Sequence, residues 1–151
     1  MNIADVRPSL TIKKRLSAPP ALVYQAWTDP EMLMHWFGPD HCTVFHAEAD
    51  VRTGGRFRVR MKATDGEIHD VSGEYLVVVP DERLEFTWAW ITMPERESRV
   101  TVTIKPDGDE TILTLFHERF ADEAAREGHS YGWTQAFGKL ERRIAEVQAA
   151  T

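Results

Sequence analysis

Residues 84–90 read Leu-Glu-Phe-Thr-Trp-Ala-Trp, with a large apolar side chain at every second position. Because successive side chains of a β-strand point to opposite faces of a sheet, this alternation predicts a strand with one apolar face. Three of the four apolar positions are aromatic, at Phe86, Trp88 and Trp90. The stretch therefore predicts a sheet whose inner face carries an aromatic surface.

The same period of two continues on both sides of this strand, from Cys42 to Glu118. Further alternating runs occupy residues 56–62, 99–105 and 112–117. Turn-forming residues lie at 53–55, 65–66, 80–81, 93–94 and 106–108. One-faced alternation joined by short turns predicts a curved antiparallel sheet with an apolar inner face and a solvated outer face. Residues 67–79 exceed the usual strand length, and Gly73 within them predicts a bulge or bend.

The segment before this region predicts one strand and two short helices. The strand is expected over Ser9–Ser17, although Lys14 interrupts its alternation. The first helix begins at Pro19-Pro20, because a proline in the first helical turn loses no hydrogen bond. The second begins at Asp29-Pro30, with the aspartate as N-cap, and ends at Gly38-Pro39.

Residues 122–149 are predicted to form one long helix. Apolar residues recur along one side of it, at Trp133, Ala136, Phe137, Leu140, Ile144 and Val147. A helix of this length spans about 40 Å, which is enough to cross a sheet whose strands are ~30 Å long. We therefore expect the helix to cover the inner face of the sheet in an α+β architecture.

Length and composition limit the function classes. The 151 residues are expected to form one domain, residues 1–151, and the net charge of −6 disfavours nucleic-acid binding. Cys42 is the only cysteine, which excludes an internal disulfide and a multi-cysteine zinc site. No apolar run approaches the ~20 residues that a spanning helix needs, and residues 1–9 show no signal peptide. We therefore expect a soluble cytoplasmic protein without membrane insertion.

Short motifs along the chain carry a family resemblance. They are Ala18-Pro19, Val23, Ala26-Trp27-Thr28-Asp29-Pro30, Trp36-Phe37-Gly38-Pro39, Gly54-Gly55, Gly73, Pro80-Asp81-Glu82-Arg83-Leu84, Thr87-Trp88, His117 and Gly132-Trp133. Together, from Leu10 to Val147, the chain resembles the family related to activators of the heat-shock-protein-90 ATPase. This family belongs to the START-like, birch-pollen-allergen (SRPBCC) superfamily. The resemblance implies a helix-grip fold, in which a curved antiparallel sheet wraps around a long C-terminal helix and two short helices follow the first strand.

The resemblance also implies a function, because small single-domain relatives look like ligand-binding proteins. We expect a small, mainly hydrophobic or aromatic ligand in a cavity between the sheet and the long helix, where large rigid side chains line the open end. The predicted ligand-binding residues are Trp36, Phe57, Met61, His69, Tyr75, Phe86, Trp88, Trp90, Val102, Leu113, His117, Trp133 and Phe137. The alternative interpretation is that these side chains simply pack as core.

Two other functions stay open at this point. A co-chaperone-type domain would bind a chaperone partner through its outer surface. A lyase or cyclase on an aromatic or polyketide-like substrate would need converging polar groups in the cavity. The sequence contains no Gly-x-Ser-x-Gly motif and no phosphate-binding loop, so no catalytic residue is assigned. His41, Cys42 and His46 lack metal-ligand spacing, and neither a metal nor another cofactor is expected.

Residues of the opposite parity are predicted to face outward. The basic row within residues 56–62 is interpreted as a solvated face paired with acidic neighbours such as Glu74 and Glu85. Ile112 and Phe116 share the outward parity. A homodimer contact is the alternative to simple exposure of these two side chains.

Overall fold

The structure is a computed structural model that describes residues 6–151. Residues 1–5, which the sequence analysis places in the same domain, lie outside the described residues. The elements in chain order are β1 (Leu10–Leu16), α1 (Pro20–Thr28), α2 (Pro30–Trp36), β2 (Cys42–Ala49), β3 (Arg56–Ala63), β4 (Ile68–Val79), β5 (Arg83–Trp90), β6 (Ser98–Asp107), β7 (Glu110–Glu118) and α3 (Glu123–Ala149). A short 3₁₀ turn, Pro94–Arg96, lies between β5 and β6.

The strands form one antiparallel sheet in the order β1-β7-β6-β5-β4-β3-β2. Strands β2 to β7 follow one another as neighbours, whereas β1 pairs with β7 at the far edge. Helices α1 and α2 connect the two edge strands, and α3 packs into the apolar core on the inner face. The buried residues of α3 are Trp133, Ala136, Phe137, Leu140 and Ile144. The predicted helix-grip fold is therefore confirmed.

Side-chain caps fix where two of the helices begin. The Asp29 side chain accepts a hydrogen bond from the Glu31 backbone N–H at 3.0 Å, and Pro30 occupies the first position of α2. The Asp122 side chain accepts from the Ala125 N–H at 2.8 Å at the start of α3. Each cap satisfies a backbone donor that lacks a partner in the helix, which contributes about 1 kcal/mol.

Lys14 does not interrupt the alternation of β1, contrary to the sequence-based expectation. Leu10 and Leu16 are buried, and Lys14 lies on the same face in a half-buried position. Its Nζ atom forms an ion pair with Glu141 of α3 at 3.1 Å. The long aliphatic part of lysine covers apolar surface while the ammonium group reaches a partner at the edge of the helix.

Strand β4 contains the expected irregularity, but not at Gly73. The register against β5 shifts between Tyr75 and Val77. Gly73 instead permits a close approach of two strands, because a Cβ atom at this position would lie 1.8 Å from the Thr87 carbonyl oxygen. A glycine is needed here because any side chain would collide with the neighbouring backbone.

Candidate functional site

A cavity of about 500 Å³ lies between the inner face of the sheet and the N-terminal half of α3. The sheet contributes Met61, His69, Trp88 and Trp90 to its wall, and the loop after α2 contributes Phe37, Gly38, Pro39 and His41. From α3 the cavity is lined by Ala124, Ala125, Gly128, His129, Gly132, Trp133 and Ala136. Exposed lining residues such as Met93 show that the cavity opens to solvent near the β5–β6 loop.

Small residues on α3 explain why space is left at this place. Positions 124, 128, 132 and 136 are alanine or glycine and all line the cavity. A Cβ atom added at Gly128 or at Gly132 would meet no heavy atom within 4 Å. Residues four apart share one face of a helix, so this series removes side-chain volume from one face. The large side chains of the sheet therefore face an open space instead of a packed helix.

Four large aromatic side chains, Phe37, Trp88, Trp90 and Trp133, form a continuous part of the cavity wall. The ring centroids of Trp88 and Trp133 lie 5.1 Å apart, and Phe37 lies 5.7 Å from each of them. Trp90 stands perpendicular to Trp88 at 5.6 Å. Such edge and tilted contacts are favourable ring geometries, and each ring restricts its neighbours. The cavity thus presents a preformed apolar surface.

His129 is the polar group at the centre of this aromatic wall. Its Nδ1 atom lies 2.7 Å from the carbonyl oxygen of Ala125, so Nδ1 carries the proton and donates. Its Nε2 atom accepts hydrogen bonds from the indole N–H groups of Trp90, at 3.0 Å, and Trp88, at 3.3 Å. Burial lowers the pKa of His129 below its usual value. The imidazole is therefore neutral, with a fixed tautomer.

His117 lies directly behind the wall and supports it. Its Nδ1 accepts from the indole N–H of Trp133 at 3.1 Å, so Nε2 carries the proton and donates to the Ser98 hydroxyl at 2.7 Å. Burial holds the pKa of His117 well below its usual value, with a further contribution from His129. His117 is fully buried and does not line the cavity. It acts as a positioning residue for Trp133.

Polar contacts hold the mouth of the cavity in place. Arg96 and Asp122 form an ion pair at 3.5 Å, and both side chains are exposed. On the opposite side, the Lys139 ammonium donates to the Pro39 carbonyl oxygen at 3.2 Å, and the Asp40 N–H donates to the Gln135 side chain at 2.9 Å. These contacts tie the β5–β6 loop and the loop after α2 to α3.

Five of the predicted site residues line the cavity: Met61, His69, Trp88, Trp90 and Trp133. Three others, Phe57, Tyr75 and Phe86, surround a separate void of about 20 Å³. The remaining residues are buried in the core, and they are Trp36, Val102, Leu113, His117 and Phe137. The inner face of the sheet is larger than the cavity, and buried side chains of α1, α2 and α3 pack against the rest of it.

Sequence reasoning missed several lining residues, above all His129. The signal was present, since Gly128, His129 and Gly132 precede Trp133, where the predicted apolar stripe begins. Two glycines within a long helix mark a face without side chains. Phe37 and Met93 were also missed, because loops bring them to the mouth and alternation gives no information about loops.

Two absences concern the described part of the chain. Within residues 6–151, no three His, Cys, Asp or Glu side chains are grouped so that they could hold a metal ion. No helix in this range has the length and apolarity needed to cross a membrane.

The Cys42 thiol lines the cavity, and burial raises its pKa, which disfavours the reactive thiolate.

Several solved structures are similar to this chain. Protein CV1439 from Chromobacterium violaceum is 30% identical, with a TM-score of 0.79, covering 89% of this chain and 96% of that chain. Protein NE0264 from Nitrosomonas europaea is 25% identical, with a TM-score of 0.81 and coverages of 97% and 99%. The AHSA1 protein from Silicibacter pomeroyi is 26% identical, with a TM-score of 0.80 and coverages of 91% and 98%.

The family comparison agrees with these structures. No functionally curated protein matches the chain significantly. The family model described as "Activator of Hsp90 ATPase homolog 1-like protein" matches residues 17–145. This family and its fold are compatible with a ligand-binding domain or a co-chaperone-type domain. Because the match extends over most of the chain, the protein belongs to the Activator of Hsp90 ATPase homolog 1-like family.

Proposed function

We propose that the protein binds a small, mainly hydrophobic or aromatic molecule in the cavity between the sheet and α3. The observation that carries this proposal is an open cavity of about 500 Å³ whose wall contains Phe37, Trp88, Trp90 and Trp133. Ligand sites of proteins are concave, mostly apolar clefts of about 300–1,000 Å³ with few polar groups. The size and the wall of this cavity match that description.

The helix composition supports the proposal independently. A glycine in the interior of a helix destabilises it by about 1 kcal/mol relative to alanine. Gly128 and Gly132 both lie within α3 and both face the cavity, where an added Cβ atom would meet no heavy atom within 4 Å. A function that requires empty space accounts for the position of these two glycines on the cavity face.

A co-chaperone-type interaction is the second candidate, and the family match is the observation that favours it. Such a role would use the outer surface and would not require an open cavity. A lyase or cyclase receives less support from the site. The ring nitrogens of His117 and His129 are all engaged in hydrogen bonds with protein groups, so neither imidazole offers a free base.

A thermal-shift screen tests the proposal. The panel contains flavonoids, fatty acids, bile acids, aromatic acids and polyketides. At 100 times its dissociation constant, a ligand stabilises the fold by about 2.7 kcal/mol, which such a screen detects. We expect a dose-dependent shift for the native protein and its loss in Gly132→Leu, whose side chain occupies the cavity.

Gly138→Leu is the matched control, because Gly138 lies on the same helix but outside the cavity. A Cβ atom there meets only the Arg142 side chain, at 3.7 Å, so the variant should fold and keep the shift. An equal shift in both leucine variants would place the ligand elsewhere. No shift with any compound class would favour the co-chaperone-type role.

A further inference from the structure

Two indole N–H donors share a single acceptor nitrogen of His129. A neutral imidazole has a single acceptor nitrogen, and here Nδ1 is the donor because it faces the Ala125 carbonyl oxygen at 2.7 Å. The one lone pair on Nε2 is therefore shared by two indole N–H groups, those of Trp88 and Trp90. One nitrogen lone pair accepts only one well-formed hydrogen bond. One of the two donors is consequently only partly satisfied.

The distances identify Trp88 as that donor. Its Nε1 atom lies 3.3 Å from Nε2, at the long end of the range, whereas Trp90 Nε1 lies at 3.0 Å. Trp88 is 4% exposed, so little of its side chain is open to bulk water. Both the indole and the imidazole line the cavity. An acceptor atom inside the cavity can therefore take over the Trp88 N–H group.

This exchange leaves no protein group without a partner. When the Trp88 N–H turns to a new acceptor, His129 still accepts from Trp90. A hydroxyl donor on a ligand cannot gain an acceptor at His129, because the Nε2 lone pair is already occupied. His41 and His69, the other imidazoles on the wall, are accessible to solvent, so water can satisfy them in the free protein.

We propose that the cavity selects apolar aromatic ligands that carry one hydrogen-bond acceptor, such as an aryl ketone, and that the Trp88 indole N–H binds this acceptor. This inference rests on the proposed function, since it names the ligand class for the same cavity. The chemistry shared by such ligands is a flat apolar body with a carbonyl oxygen. The hydrocarbon of the same shape lacks the acceptor, and the alcohol adds an O–H donor that meets an Nε2 lone pair already occupied by the indole N–H groups.

Three compounds with one ring skeleton test the inference: fluorene, 9-fluorenone and 9-fluorenol. Dissociation constants are measured by isothermal titration calorimetry with the full chain. We expect 9-fluorenone to bind about fivefold more tightly than fluorene or 9-fluorenol, the factor that one net hydrogen bond contributes. In Trp88→Phe, which keeps an aromatic ring but removes the donor, the ratio of the fluorene and 9-fluorenone dissociation constants should fall to about one.

A second measurement uses the native protein alone. The chain has five tryptophans, and each indole N–H gives one cross-peak in a ¹H–¹⁵N spectrum. Adding 9-fluorenone should shift the Trp88 indole proton downfield, while fluorene should not. The Trp88 peak is distinguished from that of Trp90, which also contacts His129, by the contacts of Trp88 to Phe37 and Trp133. The experiment therefore does not depend on the folding of a variant.

The outcomes separate the two proposals. Equal affinity for the three compounds, a preference for the alcohol, or a downfield shift confined to another indole would overturn the acceptor selectivity and leave the binding function standing. No binding of any of the three would contradict the selectivity, whereas the binding function is tested separately by the thermal-shift panel.

Discussion

At the scale of single residues, two neutral histidines organise the aromatic wall. His129 joins Trp88 and Trp90 on the cavity side, and His117 joins Trp133 and Ser98 behind it. Each imidazole has one nitrogen that accepts from an indole, which is possible only in the neutral form. The geometry of the cavity is therefore linked to the protonation state of these two residues.

This linkage predicts a pH dependence of stability. The pKa values of His117 and His129 are lowered in the folded state, mainly by burial. In the unfolded chain both titrate near 6.5, so below this pH the unfolded state binds protons that the folded state does not. Stability should be complete above about pH 6.5 and should fall by up to about 1.4 kcal/mol per histidine for each pH unit below it.

Urea denaturation at pH 8, 7, 6 and 5 measures this effect. Asp70 and Glu85 also have lowered pKa values. Because carboxylates in unfolded chains titrate near pH 4, these two residues reduce stability only at a lower pH than the histidines do. His129→Gln should reduce the slope between pH 6.5 and 5. A stability that stays constant over this interval would contradict the neutral-histidine arrangement.

Replacement of His117 tests its positioning role. His117→Leu leaves the Trp133 N–H group and the Ser98 hydroxyl without their present partner inside the core. A buried polar group without a partner costs about 1–3 kcal/mol, so the free energy of unfolding should fall by about that amount. Urea denaturation at pH 8 gives the value, and an unchanged midpoint would show that these bonds contribute nothing.

At the scale of elements, the two halves of α3 have different roles. The C-terminal half carries Phe137, Leu140 and Ile144 into the core, whereas the N-terminal half turns Gly128 and Gly132 toward the cavity. Periodicity in the sequence predicts the first role, because apolar residues at helical spacing identify a packed face. It does not predict the second, because an empty face carries no apolar signal.

Replacing a glycine with alanine should have opposite effects on stability in the N-terminal half of α3 and in β4. Gly128→Ala and Gly132→Ala should each stabilise the protein by about 1 kcal/mol, because alanine favours the helix and the Cβ atom meets nothing within 4 Å. Gly73→Ala should destabilise it or prevent folding, because its Cβ atom would overlap the Thr87 carbonyl oxygen. Thermal or urea unfolding of the three variants decides the matter, and a loss of stability in both helix variants would contradict the open space.

At the scale of the whole molecule, local patterns were sufficient for the fold but not for the site. Alternation over residues 84–90 and the cap at Asp29 act within a few positions, and the structure shows both. The cavity depends on how α3 crosses the sheet and on which half of it lacks side chains. His129 lies 39 residues from Trp90 in the sequence. Their hydrogen bond could not be predicted without knowing how α3 crosses the sheet. The single-domain organisation and a homodimer contact at Ile112 and Phe116 stay predictions.

Ligand binding in this cavity is tested by the signals of the methionine methyl groups. Met61 and Met93 line the cavity, whereas Met32 is buried in the core and Met34 is exposed on α2. In a ¹H–¹³C spectrum of methyl-labelled protein, added 9-fluorenone should shift the Met61 and Met93 signals in a saturable manner and leave Met32 and Met34 unchanged. Shifts confined to Met34, or no shift at Met61 at any ligand concentration, would contradict ligand binding in this cavity.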